Sequence, residues 1–185
     1  MGEEEEEKVY IQRVRNEIYF YDDVSTQTVM RLNILLREME NEYTHIVLYI
    51  HSGGGDLFSG LSAMDHIQSM RTPVHTVADG LCCSAATFIF LGGSKRFVKS
   101  HAHMLVHQIS SESGWVKFED MKDEMKNLER LMQQVLSIYR ERTNLPEKKL
   151  KRLMRHDMYL SPEQCVTYGI ADELFPSYQN IERKE

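Results

Sequence analysis

Residues 46–56 read IVLYIHSGGGD, and this stretch decides the fold. Ile46 to Ile50 are almost all apolar and β-prone, which is typical of a strand buried on both faces of a parallel sheet. Three glycines, Gly53 to Gly55, end the strand, and an amphipathic segment follows. The pattern predicts a strand, a glycine turn and a helix, as at the start of a β-α-β unit.

The same alternation of strands and helices extends to both sides of this stretch. Upstream, Ser25 can cap a helix that runs to Glu40. Downstream, residues 74–77 predict a strand, Gly80 predicts a turn, and residues 84–91 predict an apolar helix. Such an alternation is typical of an α/β fold with a parallel sheet and right-handed crossovers.

A long amphipathic helix is predicted from about residue 117 to residue 142. Its apolar residues recur three and four positions apart, and they are Phe118, Met121, Met125, Leu128, Met132, Val135 and Tyr139. At 1.5 Å per residue the helix would be roughly 37 Å long, so we expect part of it to project. The stripe has two interpretations, packing on the chain's own sheet or contact between subunits, and the sequence does not decide between them.

Length and composition exclude several classes of protein. The 185 residues fit one domain, and we expect an acidic flexible segment over 1–15, the domain over 16–176 and a flexible tail over 177–185. The net charge of −6 leaves no basic excess for nucleic-acid phosphates. No apolar run reaches the length of a membrane span, about 20 residues. Three cysteines, two of them adjacent, fit a reducing compartment, so we expect a cytoplasmic protein.

Three groups of residues that can carry chemistry follow predicted strands. Gly53 to Gly55 allow close approach of a ligand at a helix start, where free N–H groups favour negative charge. Ser84 would begin the next helix, where a serine is usually an N-cap but can also be a nucleophile, with Cys83 as a rival nucleophile. His107 follows a third strand. Because ligands gather at the carboxyl ends of parallel strands, we expect these groups to converge.

Asp157 supplies the acidic partner of a catalytic set. Ser84, His107 and Asp157 in this chain order suit a nucleophile, a general base and a carboxylate that orients the imidazole. His101 and His103 stand near His107 at spacings that metal ligands use, but no carboxylate falls in their register. We therefore predict neither a metal nor another cofactor.

Five short segments resemble, in order, motifs of the Clp protease proteolytic subunit family. They are residues 50–55 (I-N-S-P-G-G in the family), 80–86 (G-Q-A-A-S-M-G), 106–108 (I-H-Q), 157–161 (D-R-F-L-S) and 168–172 (Y-G-L-V-D). The resemblance runs from about Asn16 to Leu174. It implies a crotonase-like α/β spiral of β-α units with a projecting handle helix over about 117–142.

The resemblance also implies an activity, a serine endopeptidase that needs no cofactor. The site residues that it implies are the nucleophile Ser84, the base His107 with its orienting Asp157, the oxyanion donors Gly55 and Ala85 through their backbone N–H groups, and the substrate-loop residues Gly53 and Gly54. Family members enclose such sites in a chamber of seven-subunit rings. We therefore expect a homo-oligomer of one or two heptameric rings that cleaves short or unfolded peptides.

An ATP-driven unfoldase of the AAA+ type is a further partner that the resemblance implies. Only about 15 residues precede Asn16, and this short acidic segment argues against unfoldase docking. A stand-alone peptidase or a dedicated maturation protease for one partner then becomes the alternative. Two other classes also fit the sequence. They are an acyl-CoA enzyme of the crotonase type, which would share the backbone donors, and a non-catalytic subunit of a mixed ring.

Overall fold

The fold consists of one mixed sheet with helices packed against it. A computed structural model describes residues 10–111 and 117–176. The strands are β1 (Ile11–Val14), β2 (Glu17–Phe20), β3 (Ile46–Ser52), β4 (Val74–Cys83), β5 (Lys95–Val98), β6 (His103–Leu105), β7 (Tyr159–Leu160) and β8 (Glu173–Leu174). The helices are α1 (Thr26–Met39), α2 (Leu57–Ser69), α3 (Ala86–Leu91), α4 (Phe118–Arg142), α5 (Glu147–Leu153) and α6 (Pro162–Thr167).

The strands pair in the order β1-β2-β3-β4-β5-β8, while β6 pairs with β4 and with β7. All neighbours from β2 to β8 along this order are parallel, and so are β4 and β6. Among the strands that the structure describes, only the pairs β1–β2 and β6–β7 are antiparallel. The predicted α/β architecture with a parallel sheet is confirmed, and its central strand β3 begins at the predicted residue, Ile46.

Strand β4 does not end at Gly80, where the sequence predicted a turn. The strand continues to Cys83, because Gly80 adopts a φ of +85° and bends it without ending it. His51 Nδ1 lies 2.6 Å from the position that a Gly80 Cβ would occupy. The first half of β4 pairs with β5, and the half beyond the bend pairs with β6, from Leu81 opposite His103 to Cys83 opposite Leu105. The bend therefore places Ser84 beside the end of β6.

The predicted flexible segment at the N-terminus is too long. Ile11–Val14 form β1 because β2 offers them an antiparallel partner, and Ile11 is buried in the core. The rest of the prediction for residues 1–9, and the predicted tail over 177–185, lie outside the described residues. Ser25, in contrast, caps α1 as predicted, with its hydroxyl accepting the Thr28 N–H.

The long helix α4 divides into an exposed half and a buried half. Its bounds lie within one residue of the predicted 117–142. Phe118 and Met125 are 70% and 64% exposed, whereas Val135 and Tyr139 are each 2% exposed. Met132 Sδ accepts the Ile109 N–H at 3.4 Å. The C-terminal half of the stripe therefore packs within the chain, as one interpretation predicted, while the N-terminal half presents an exposed apolar face for which contact between subunits stays a prediction.

The core is one continuous cluster under the sheet. It includes the inner faces of α1, α2 and α3 and the inward residues of β2, β3 and β4. Gly60 of α2 allows close approach to Ala85, since a Cβ at Gly60 would lie 2.7 Å from the Ala85 carbonyl oxygen. The core thereby fixes the start of α3 against α2. In the described parts of the chain, no helix combines the length and apolar character that crossing a membrane requires.

Candidate active site

Ser84 occupies a sharp turn between β4 and α3. Its φ of +53° lies in the left-handed region, which costs a residue other than glycine roughly 1–2 kcal/mol. Helix α3 begins at Ala86, with Ala85 at the N-cap position and no side-chain capping bond. The interpretation of Ser84 as an ordinary helix cap is therefore wrong. A strained strand-to-helix turn that carries a serine is instead typical of a nucleophile elbow.

The glycine turn lies directly against the serine turn. Gly54 and Gly55 have φ values of +103° and +143°, which favour glycine. A Cβ on Gly54 would lie 2.6 Å from Ser84 Cβ and 3.1 Å from Ala85 N. At Gly53 the nearest atom would be 4.0 Å away, so this residue has room for a side chain. The close approach of the two turns thus depends on Gly54 and not on Gly53, whereas Gly55 allows close approach to Val24, whose carbonyl oxygen would lie 2.3 Å from a Cβ there.

Two backbone amides at this contact have no acceptor within residues 10–111 and 117–176. They belong to Gly55 and Ala85. The amides on either side are occupied: Asp56 N–H donates to the Val24 carbonyl at 2.7 Å, and Ser84 N–H donates to the Leu105 carbonyl at 2.9 Å. Gly55 and Ala85 also line the same cavity. The arrangement supplies two free donors for a ligand oxygen.

That cavity has a volume of about 300 Å³ and brings the predicted residues together. Ser84 and His107 both line it, beside Gly55 and Ala85. Its apolar wall comes from α3 and from the buried half of α4, through Phe88, Leu128, Leu131 and Val135. His107 reaches the cavity because it lies two residues beyond the end of β6, at the carboxyl end of the strand. Two acidic residues, Asp56 and Glu124, also line the cavity, and sequence reasoning did not single them out.

Asp157 does not line the cavity, and it precedes β7 by two residues just as His107 follows β6 by two residues. Strands β6 and β7 are antiparallel, with Leu105 opposite Tyr159. The observed pairing ends there, and only its continuation by two further positions would set His107 opposite Asp157. All three candidate residues lie within the described ranges, and no hydrogen bond joins the side chains of Ser84, His107 and Asp157 in the single chain. Asp157 is exposed at this point.

The cysteine alternative to Ser84 is disfavoured. Cys83 is 3% exposed, does not line the cavity, and has a thiol pKa that burial raises. Burial likewise raises the thiol pKa of Cys82 and raises that of Cys165 to about 12. A thiol is a nucleophile only as the thiolate. These cysteines are consequently inert core residues.

The histidines do not assemble a metal site. His101 and His103 are exposed, and His103 packs edge-on against Tyr159 rather than towards the cavity. Within residues 10–111 and 117–176, no three histidine, cysteine or acidic side chains come together as metal ligands would.

Thr87 and Tyr139 are functional candidates that sequence reasoning missed. Thr87 Oγ1 donates to the Ser84 carbonyl at 2.6 Å, and Tyr139 Oη lies 2.5 Å from Thr87 Oγ1. Tyr139 was noted only as an apolar stripe residue. No local pattern links two residues that are 52 positions apart, so only the packing of α4 on α3 reveals this contact.

The fold is the crotonase-like α/β fold of the Clp peptidases. A solved structure of a ClpP1 variant from Listeria monocytogenes superimposes with a TM-score of 0.79, covering 90% of this chain and 95% of that one. The two sequences are 20% identical, so this likeness shows the fold. The predicted fold class is thereby confirmed.

Sequence comparison identifies the family. A family model described as Clp protease matches residues 3–177. An ATP-dependent Clp protease proteolytic subunit from Chlorokybus atmophyticus is 29% identical over 184 residues, which are 96% of this chain and 80% of the relative. ATP-dependent Clp protease proteolytic subunit 2 from Treponema denticola is 32% identical over 153 residues, 82% of this chain and 76% of the relative. The chain belongs to the Clp protease family, and its enzyme class is serine-type endopeptidase.

Proposed function

We propose that this chain hydrolyses peptide bonds with Ser84 as nucleophile, His107 as general base and Asp157 as the carboxylate that orients His107. The observation that carries the proposal is the shared cavity, where a strained serine and a histidine lie beside two unpaired backbone amides. A peptidase needs these four components within reach of one carbonyl group.

The proposed reaction proceeds in two halves. Ser84 Oγ attacks the carbonyl carbon of the substrate while His107 takes the hydroxyl proton, and the carbonyl oxygen becomes negatively charged. The N–H groups of Gly55 and Ala85 stabilise this oxygen, and each such donor is worth about 3–4 kcal/mol in the transition state. His107 then gives its proton to the leaving amine. A water molecule repeats the attack on the acyl-enzyme, releases the carboxylic acid and restores Ser84.

The role of Asp157 rests on the register of β6 and β7. Residues directly opposite in an antiparallel ladder have Cα atoms about 4.5–5.5 Å apart, a distance that a carboxylate and an imidazole can bridge. The open arrangement of the single chain is compatible with this role, because catalytic hydrogen bonds are often long until substrate binds. In the proposed active state, Asp157 accepts the His107 N–H and fixes its tautomer.

The proposed substrate is an extended, unfolded or short peptide. The apolar wall formed by Phe88, Leu128, Leu131 and Val135 suits the side chain next to the cleaved bond. Glycines 53 and 54 are proposed to border the peptide as the substrate loop.

The proposed assembly is a homo-oligomer of one or two heptameric rings. Phe118, Met121 and Met125 form an uncovered apolar face on the N-terminal half of α4. Exposed apolar surface of this kind typically marks a protein interface, and a second copy of the same helix offers a matching face. The relatives are named proteolytic subunits of an ATP-dependent protease. ATP dependence of this chain would need a separate AAA+ unfoldase.

The direct test is labelling with a fluorophosphonate probe together with hydrolysis of an unstructured fluorogenic peptide. The wild-type protein should be labelled at Ser84 and should cleave the peptide, and Ser84→Ala should lose both activities. Ser110→Ala is the matched control, because Ser110 lines the same cavity and is exposed. Labelling that persists in Ser84→Ala, or that is lost in Ser110→Ala, would contradict the nucleophile assignment.

The remaining alternatives give different results in the same experiment. A dedicated maturation protease would be labelled by the probe but would cleave general peptides poorly. A non-catalytic ring subunit would be neither labelled nor active, although it would still assemble. A crotonase-type acyl-CoA enzyme would show a higher melting temperature with coenzyme A and no labelling.

A further inference from the structure

The carbonyl group of Ser84 accepts two hydrogen bonds from a single residue. Thr87 N–H donates to it at 3.0 Å, and Thr87 Oγ–H donates at 2.6 Å. The first bond is the usual contact of a helical first turn. The second comes from a side chain that is fully buried, with an exposed fraction of 0%. Ser84 needs such support because its left-handed φ is intrinsically unfavourable.

The Thr87 hydroxyl is itself held by Tyr139 of α4. A threonine hydroxyl has one hydrogen, and Thr87 uses it on the Ser84 carbonyl. The 2.5 Å contact with Tyr139 Oη therefore has Tyr139 as donor and Thr87 as acceptor. Tyr139 is 2% exposed, and burial raises the pKa of its hydroxyl, so the donor keeps its proton at physiological pH. The bonds form a one-directional chain from Tyr139 to Thr87 to Ser84.

This chain controls the orientation of one peptide plane. The Ser84 carbonyl and the Ala85 N–H belong to the same planar peptide unit and point in opposite directions. A fixed direction for the carbonyl therefore fixes the direction of the Ala85 N–H, which is unpaired and lines the cavity. Acceptance of hydrogen bonds by the carbonyl also polarises the unit and strengthens its N–H as a donor.

Helix α4 holds α3 at its other end by a separate contact. Arg142, three residues after Tyr139, donates to the Leu91 carbonyl at 2.8 Å and to the Gly93 carbonyl at 3.3 Å. The helix that follows Ser84 is thus attached to α4 at both ends. Of these two contacts between α4 and α3, the Tyr139–Thr87 hydrogen bond is the one next to the serine turn.

We propose that Tyr139 and Thr87 are positioning residues for the oxyanion hole, because they hold the Ser84–Ala85 peptide plane with its N–H directed at the substrate oxygen. This inference rests on the proposed function, in which Ala85 N–H is an oxyanion donor. Thr87 does not line the cavity, and Tyr139, which does, has its hydroxyl bonded to Thr87. Their effect is exerted on transition-state stabilisation and not on substrate binding.

The test compares Thr87→Val, Tyr139→Phe and Thr87→Ser in the assembled particle. Loss of a whole oxyanion donor lowers kcat by about 10²–10³-fold, so a misdirected donor in Thr87→Val should lower kcat about 10- to 100-fold. Tyr139→Phe removes one supporting bond and should lower kcat about 3- to 10-fold. Thr87→Ser keeps the hydroxyl and should restore most of the activity. KM should stay within about twofold in all three.

Thr76→Val is the matched control for a buried threonine. Thr76 Oγ1 donates to the Phe90 carbonyl at 2.7 Å, at the far end of α3, and Thr76 is 0% exposed. Its loss should lower the melting temperature much as Thr87→Val does, while kcat stays unchanged. A fall in kcat of equal size in Thr76→Val would show that any weakening of α3 has the same effect, and the positioning role would be overturned.

A peptide boronate supplies a readout that a purely structural role would not change. Its tetrahedral adduct on Ser84 mimics the transition state, so its affinity should fall by the same factor as kcat/KM in Thr87→Val. The double variant Thr87→Val/Tyr139→Phe should match Thr87→Val alone, because both residues act through one bond. If Ser84→Ala has lost labelling and Thr87→Val keeps the wild-type kcat, the positioning role of Thr87 and Tyr139 is overturned while the proposed function stands. Labelling retained by Ser84→Ala overturns the proposed function instead.

Discussion

Substitution of Gly54 by alanine should separate the glycine turn from the serine turn. A Cβ at this position would lie 2.6 Å from Ser84 Cβ and 2.7 Å from the Cys83 carbonyl oxygen, both well short of the ordinary contact distance of 3.4 Å. Those neighbours are backbone and Cβ atoms, which cannot rotate away. The φ of +103° adds strain whatever space the turn makes.

The consequence is a shift of roughly 1 Å between the two proposed oxyanion donors, and misplacement of this size costs about 100-fold in rate. We therefore expect kcat/KM for a fluorogenic peptide to fall by about 100-fold or more. The free energy of unfolding should fall by about 1–3 kcal/mol. Stopped-flow or plate-reader kinetics and denaturant unfolding measure the two effects separately.

Gly53→Ala is the control for this experiment. Its φ is not positive, and the nearest atom to a new Cβ would be Asp23 Oδ1 at 4.0 Å. Stability should change by less than about 0.5 kcal/mol, with activity close to wild type. If Gly54→Ala assembled normally and kept its rate within about threefold of wild type, the two turns would not form one site, and the reasoning would be refuted.

Three further predictions concern assembly and protonation. Met125→Asp should reduce the particle mass in analytical ultracentrifugation because it places a charge on the exposed apolar face of α4. Asn127→Asp, about 200° around the helix, should leave the particle mass unchanged. Equal particle masses for the two variants would show that this face is not part of the interface. The three buried thiols should resist iodoacetamide at pH 8 in the native state, and rapid alkylation would contradict their burial. Arg140 and Lys151 lower the pKa of Glu147 to about 2, so Glu147→Gln should lower the melting temperature at pH 7. The difference in melting temperature between wild type and Glu147→Gln should shrink as the pH falls from 4.5 towards 2. A difference that is independent of pH would exclude those ion pairs.

The parts of the fold that sequence reasoning predicted have strong local signals. The apolar run from Ile46 and the glycines after it specify a buried strand and a turn, and the three-and-four spacing of α4 specifies a long helix. The family motifs then name candidates that are far apart in the chain. Ser84 and His107 do reach one cavity, while the roles assigned to them stay a prediction until the proposed experiments are performed.

The parts that it missed depend on contacts between distant residues. Gly80 was predicted to form a turn, but the chain stays extended through it because β4 pairs with β5 before Gly80 and with β6 after it. β1 lies in a stretch with mixed charges and forms because β2 offers an edge. The left-handed conformation of Ser84 and its support by Thr87 and Tyr139 arise only when α4 packs on α3. No local pattern in the sequence encodes that contact.

The most direct measurement is a structure of the assembled particle after reaction with a peptidyl phosphonate. The account predicts a covalent bond from phosphorus to Ser84 Oγ, with a phosphonyl oxygen within about 3.1 Å of both Gly55 N and Ala85 N. It also predicts that His107 lies within hydrogen-bonding distance of both Ser84 Oγ and Asp157. Phosphorus attached to another residue, or a phosphonyl oxygen remote from both amides, would contradict the account.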